Sequence, residues 1–144
     1  MTKVLAVNIS EKKGEPKQTI AKGYFEVNNG LQGDAHAANW HRQVSLLGNE
    51  SVEKIRMMGI EDLEAGSFAE NLTTEGITLY ELPIGTKLMI GETLMEVTQI
   101  GKECHMGCAI RQKTGDCVMP REGIFAKVLT PGWIIPGDSI EIVN

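Results

Sequence analysis

Apolar and polar positions alternate in short runs along most of this chain, and the runs are separated by glycine, asparagine or proline. Lys3 to Ile9 sets Leu5, Val7 and Ile9 on one side, the period-two pattern of a half-buried strand. Lys22 to Val27 repeats it, with Tyr24 on one side or Phe25 and Val27 on the other, before the turn-forming Asn28-Asn29-Gly30. Between these strands SEKKGEPKQ reads as a polar loop. Arg42 to Leu47 predicts a third strand, and Asn49 in Gly48-Asn49-Glu50 can cap a helix running to about Met58. That helix would share Val52, Ile55 and Met58 or Met57 on one face. Leu79 to Ile100 predicts a pair or more of strands around Gly91-Glu92. One internal echo stands out: Ile84 to Ile90 and Pro136 to Ile142 both read as a tight turn entering an alternating strand. Many short strands, with 16 glycines for corners, favour a closed or nearly closed antiparallel sheet: a mainly β, barrel-like fold with a few short helices.

Length and charge narrow the function classes. The 144 residues, 42% hydrophobic and 23% charged, fit a single domain over 1–144. MTKVLAVNIS lacks the long apolar stretch and cleavage site of a secretory signal, and no run approaches the ~18 apolar residues of a membrane span. A cytoplasmic location without membrane contact is the expectation. A net charge of −5 argues against general binding to nucleic acid, which needs a dominant basic surface. No G-x-G-x-x-G, phosphate loop or serine nucleophile elbow is present.

Candidate chemistry concentrates in GKECHMGCAIRQKTGDCVMPREGIFAKVL, from Gly101 to Leu129. It holds all three cysteines, Cys104, Cys108 and Cys117, together with His105. An odd number of cysteines in one short region is a poor disulfide framework and suits reduced thiols, a metal or catalysis. Lys102, Arg111, Lys113 and Arg121 flank them, and nearby cations favour the nucleophilic thiolate. A zinc site from the three cysteines and His105 is a structural alternative, although only Cys104 and Cys108 form a short paired unit. Burial in a core is another. Asp34 and His36 form a second candidate, in which a carboxylate two positions away on an extended strand would orient the imidazole; the competing reading is a loop Asp capping backbone amides. Asn71 would line a pocket or hold its loop. His41, beside Trp40, reads as surface. Met57, Met58, Met89, Met95 and Met106 read as core gap-fillers, and Trp133 as a packing plug at a corner.

The segments GLQGDAHA, RQVSLLGNES, GSFAENLTTEGI, EVTQIGKECH and GDCVMPREGIFAKVL, in this order, closely resemble the MOSC domain, named for the C-terminal portion of molybdenum cofactor sulfurases. The likeness runs from about Leu5 to Ile142 and to the short, stand-alone branch of the family. It implies a mixed β-barrel and a role with sulfur or the molybdenum cofactor (molybdopterin). It also implies a family cysteine after a strand and a short linker, the place of Cys104. Thr114-Gly115 falls where members with molybdenum sites carry a Thr-Gly pair. An arginine usually precedes the cysteine, whereas Gly101, Lys102 and Glu103 stand here. Cys104 would then bind molybdenum as a thiolate or carry sulfur as a persulfide, with Cys108 or Cys117 as the resolving thiol and His105 beside them. Lys102, Arg111, Lys113 and Arg121 would meet the pterin phosphate or an anionic substrate, with Asp34, His36 and Asn71 at the rim. No pyridoxal-phosphate desulfurase portion is present. Sulfur transfer would therefore need a partner, a cysteine desulfurase or a cofactor biosynthesis protein. The alternatives are a molybdenum-dependent reductase of N-hydroxylated compounds and a non-catalytic cofactor-binding module.

Overall fold

The computed structural model of the protein describes residues 2–12, 17–57, 59, 63, 65–66, 68–101 and 122–143. Before the helix come β1 (Lys3–Ile9), β2 (Gln18–Ile20), β3 (Gly23–Glu26), β4 (Gly30–Leu31) and β5 (Val44–Gly48). The helix is α1 (Asn49–Arg56), followed by β6 (Leu72–Glu75) and a 3₁₀ turn at Leu79–Glu81. Then come β7 (Lys87–Ile90), β8 (Thr93–Ile100), β9 (Ile124–Thr130), β10 (Gly132–Ile134) and β11 (Ile140–Val143). Eight strands form one sheet in the order β11-β7-β8-β9-β5-β6-β1-β2, and β10-β3-β4 form a second.

The mainly β class is as expected, but the large sheet does not close by a continuous ladder. A short seam joins β1, the last strand but one, to the residues around the start of β11: the Val4 N–H donates to the Asp138 carbonyl at 2.8 Å and the Gly137 N–H to the Val4 carbonyl at 2.7 Å. A third bond runs from the Ile140 N–H to the Thr2 carbonyl at 3.2 Å. The sheet also departs from a purely antiparallel one, because β5 and β6 are parallel. A parallel pair needs a crossover, and α1 lies within the connection between these two strands.

The echo in the sequence has a structural meaning. Strands β7 and β11 are neighbours, with Ile90 opposite Ile140 and Leu88 opposite Ile142. Gly85 and Gly137, at matching places in the two turns, both hold φ at +96°. A side chain at either would meet nothing within 4 Å, so what calls for glycine is backbone conformation rather than space.

Alternation places Val4, Phe25, Leu46, Leu72, Leu88, Met95 and Ile124 in one core shared by both sheets. Burying each such side chain contributes about 1.5–3 kcal/mol. A second cluster packs Val52 and Ile55, three apart on one face of α1, against Leu47, Phe68 and Phe125. Several expectations need correction. The cap of α1 is Gly48; Asn49 is already helical, and its Oδ1 accepts from Arg56 Nη1 at 3.3 Å instead. Met57 is 87% exposed and Met89 half-exposed, so among the described methionines of that group only Met95 fills the core. Trp133 is no plug: 42% exposed, it lies edge-on to Tyr24 at 5.2 Å with the Lys22 ammonium 4.7 Å from its ring centre. Phe25 faces inward and Val27 outward, although both lie on the same side of an ideal strand, because β3 ends at Glu26. No helix among the described residues is long and apolar enough to cross a membrane.

Candidate functional site

The described polar centre is built around Lys17, at the end of the loop that follows β1. Its backbone N–H donates to the Gly66 carbonyl at 2.9 Å. Gly66 holds φ at +88°, and a Cβ there would lie 2.2 Å from the Lys17 carbonyl oxygen, so only glycine lets the two backbones approach this closely. The Lys17 side chain then turns inward with 1% exposure. Its Nζ contacts Asp34 Oδ1 at 2.7 Å, His36 Nδ1 at 3.0 Å and Ser10 Oγ at 3.1 Å. Three ammonium protons thus meet three acceptors, the full capacity of the group.

Asp34 sits in a turn after β4, not on an extended strand, and its side chain is wholly buried. Oδ1 also accepts the Ser10 N–H at 3.0 Å, and Oδ2 accepts the His36 N–H at 3.2 Å. Burial by itself would raise this carboxyl. The Lys17 hydrogen bond and charge, the Ser10 amide and the Asn71 amide outweigh it and hold the group below its ordinary value of 3.8. The loop reading of Asp34 is the one its geometry matches: it caps the Ser10 and His36 backbone amides, and it also anchors a buried ammonium. It does not orient the imidazole directly, because His36 Nδ1 is 3.9 Å from Oδ2, beyond hydrogen-bond reach. Lys17 makes that contact instead.

Asn71 is buried behind this group. Its Oδ1 accepts the Ser45 N–H at 3.0 Å, and its Nδ2 donates to the Asn8 carbonyl at 3.3 Å, tying β5 to β1. Glu70, also fully buried, accepts from Thr73 Oγ1 at 2.7 Å and the Phe68 N–H at 3.2 Å. Burial pushes its carboxyl up, against the lowering effect of these bonds. Asp34, His36 and Asn71 are thus brought into one polar group, while Lys17, Ser10 and Glu70 were missed. Their one sequence-level signal is weak: Glu70 falls beside Asn71 inside GSFAENLT, and Ser10 and Lys17 bound a run that looks like solvated loop.

Cys104, His105, Cys108, Cys117, Lys102, Arg111, Lys113 and Arg121 lie outside the described residues. The two roots of their segment are described. Ile100 pairs with Ile124, and the Gly101 N–H donates to the Gly123 carbonyl at 2.6 Å, so the segment leaves and rejoins the sheet at one place. The Gln99 amide holds the first root: Nε2 donates to the Gly101 carbonyl at 2.7 Å, while Oε1 accepts from Arg42 Nε and His41 Nε2, each at 3.0 Å. Trp40 Nε1 donates to the His36 carbonyl at 3.1 Å. A run of contacts from residue 36 to residue 42 therefore links the Asp34 turn to the start of the thiol segment. His41 is exposed, as expected, yet belongs to this link. At the second root Glu122 accepts from Ser51 Oγ at 2.6 Å and from Lys54 Nζ at 2.9 Å, beside a cleft of about 130 Å³ reaching Tyr80. Among the described residues no group of three or more His, Cys, Asp or Glu could hold a metal ion.

Comparison with known proteins agrees with this architecture. The YuaD protein from Bacillus subtilis superposes with a TM-score of 0.80 at 20% identity, covering 99% of this chain and 96% of that one. YiiM from Geobacillus stearothermophilus gives 0.76 at 21%, covering 100% and 76%, and YiiM from Escherichia coli gives 0.68 at 22%, covering 100% and 70%. At these identities the likeness establishes the fold. No curated protein matches the chain in sequence. The model of the MOSC domain matches residues 32–141, a stretch that runs from the Asp34 turn through the whole thiol segment to β11. The chain belongs to the MOSC domain family, a family related to the molybdenum cofactor.

Proposed function

We propose that this MOSC domain handles the molybdenum–pterin cofactor, or the sulfur destined for it, through Cys104. The observation that carries the reading is the family match across residues 32–141, which includes Cys104, Cys108 and Cys117 and the cations around them. The donor set suits the group. A thiolate is a soft ligand for molybdenum, and Lys102, Arg111, Lys113 and Arg121 suit a pterin phosphate. Cys104, at the place of the family cysteine, is the ligand proposed, and Asp34, His36 and Asn71 form the rim. When bound, the cofactor supplies redox chemistry at its metal. The chain supplies a thiolate and a set of cations, held by two roots that meet at Gly101 and Gly123.

The clustering of three thiols favours a second reading, sulfur carriage. The Cys104 thiolate attacks the outer sulfur of a donor protein's persulfide; the donor S–S bond breaks and its thiolate leaves, with Cys104 now the persulfide. Attack by Cys108 or Cys117 on the inner sulfur releases hydrosulfide and leaves a disulfide, which an external thiol reductant must reopen. The donor would be a cysteine desulfurase or a cofactor biosynthesis protein. Reduction of N-hydroxylated compounds is the alternative for a loaded domain.

Purification from a molybdenum-replete host, with metal and pterin measured, tests the reading. Stoichiometric cofactor that is lost in Cys104→Ser supports a ligand. Cyanide-releasable sulfur without pterin supports a carrier. Stoichiometric zinc without pterin sinks both. For a loaded protein, turnover of an amidoxime with an electron donor separates a reductase from a binding module.

A further inference from the structure

The geometry points to Lys17 as the positioning residue that sets the tautomer of His36, so that His36 meets its ligand as an Nε2–H donor to an anionic oxygen. An ammonium has donors and no acceptor, so the 3.0 Å contact with His36 Nδ1 requires that nitrogen to accept. Nδ1 is then unprotonated and the ring proton belongs to Nε2. The opposite tautomer would aim an N–H at the ammonium, with Asp34 Oδ2 out of hydrogen-bond reach at 3.9 Å. Lys17 cannot turn away to permit it, because Asp34 Oδ1 and Ser10 Oγ hold the same Nζ at 2.7 and 3.1 Å. The ammonium has 1% side-chain exposure, while the imidazole keeps 32%. Lys17 therefore acts on a ligand through His36 rather than by touching it.

This assignment changes what His36 can do. A metal ligand or general base at Nε2 needs an unprotonated Nε2, normally secured by a carboxylate or carbonyl that accepts from Nδ1–H. Here a cation occupies that place, and a donor suits an oxyanion such as a phosphate. Only this ligand class rests on the function proposed above; the tautomer does not.

Nitrogen NMR of the imidazoles in the full chain tests both parts, with His36→Gln used to assign the signals. At neutral pH the wild type should show an acceptor-type Nδ1 and a protonated Nε2 at His36. A protonated Nδ1, or a doubly protonated ring, overturns the assignment. Lys17→Met leaves Asp34 unpaired and can unfold, so the double variant Lys17→Met with Asp34→Asn is the informative one, and its His36 should relax to a tautomer mixture. An unchanged tautomer there removes Lys17 from the role. Inorganic phosphate should shift the wild-type Nε2 signal saturably, and more weakly in the double variant in proportion to the Nε2–H fraction that remains, about twofold for an even mixture; a wild type without saturable shift overturns the ligand class. Cys104→Ser should leave the tautomer intact, which separates this result from any failure of cofactor or sulfur binding.

Discussion

Two ion pairs of nearly equal length stand in opposite environments. Lys17 and Asp34 are 2.7 Å apart at 1% and 0% exposure, whereas Lys54 and Glu122 are 2.9 Å apart at 52% and 14%. Water reaches the Lys54 ammonium whether or not the contact forms, and the Ser51 hydroxyl still donates to Glu122 when it is lost, so the net worth of the second pair is below about 1 kcal/mol. In the first pair each charge has lost its hydration, and removing either partner leaves the other stranded. Distance alone would rank them together. Burial shows that one organises the Asp34 turn and the other merely steadies the root of the thiol segment at Glu122.

The largest effect should come from Lys17→Met, which strands the Asp34 carboxylate at a cost of about 3–5 kcal/mol, read from the denaturant midpoint. Adding Asp34→Asn should recover most of that loss; a double variant no more stable than the single would mean that packing, not charge, makes Lys17 matter. Next comes Gly66→Ala, which forces a side chain into a left-handed backbone position against the Lys17 carbonyl and should cost roughly 2–3 kcal/mol. The pH dependence sharpens the contrast further. Asp34 is lowered, so its contribution is present above its ordinary 3.8 and disappears as pH falls through its depressed folded value. Glu70 is raised, so its contribution is present below its ordinary 4.5 and declines as pH rises toward its folded value. Thermal melts should show Glu70→Gln abolishing the decline above 4.5 and sparing the acid-side loss. The smallest effect belongs to Lys54→Ala, below about 1 kcal/mol and shrinking with added salt; a loss equal to that at Lys17 would erase the distinction.

Legibility followed the physics of each segment. Where one face is buried, as in β7 and most of β8, alternation was plain, and the echoed turns proved to lead into paired strands. In β1 a register shift between Val4 and Ala6 buries Val4, Ala6 and Val7 rather than the expected face of Leu5, Val7 and Ile9, and β9, whose first three residues are all buried, was missed. Strand β6, Leu-Thr-Thr-Glu, was missed because its first three residues, two of them threonines, are all buried, which removes the alternation. Asp34, His36 and Asn71 were legible through family-like segments, whereas Lys17 was not. It lies in a run with Lys12 and Lys13, and composition cannot say which lysine turns inward. That choice is made by Gly66, far along the chain, and by an Asp34 turn whose proximity to Ser10 only the fold creates. The same limit explains the imidazole: spacing placed Asp34 near His36, but the atom facing Nδ1 comes from a different loop.

The seam between Thr2–Val4 and Gly137–Ile140 has a consequence for how the chain folds. Its hydrogen bonds join residues separated by almost the entire sequence, and the entropy of closing so long a loop delays them until much of the sheet between is formed. Local pairs such as β1 with β2 and β7 with β8 can form early, while the Lys3–Val4 end of β1 waits for β6 and for the seam. Amide exchange at Val4 and Gly137 should accordingly report the last step of folding, making this three-bond seam the clasp by which the finished domain can be told from its nearly complete precursors.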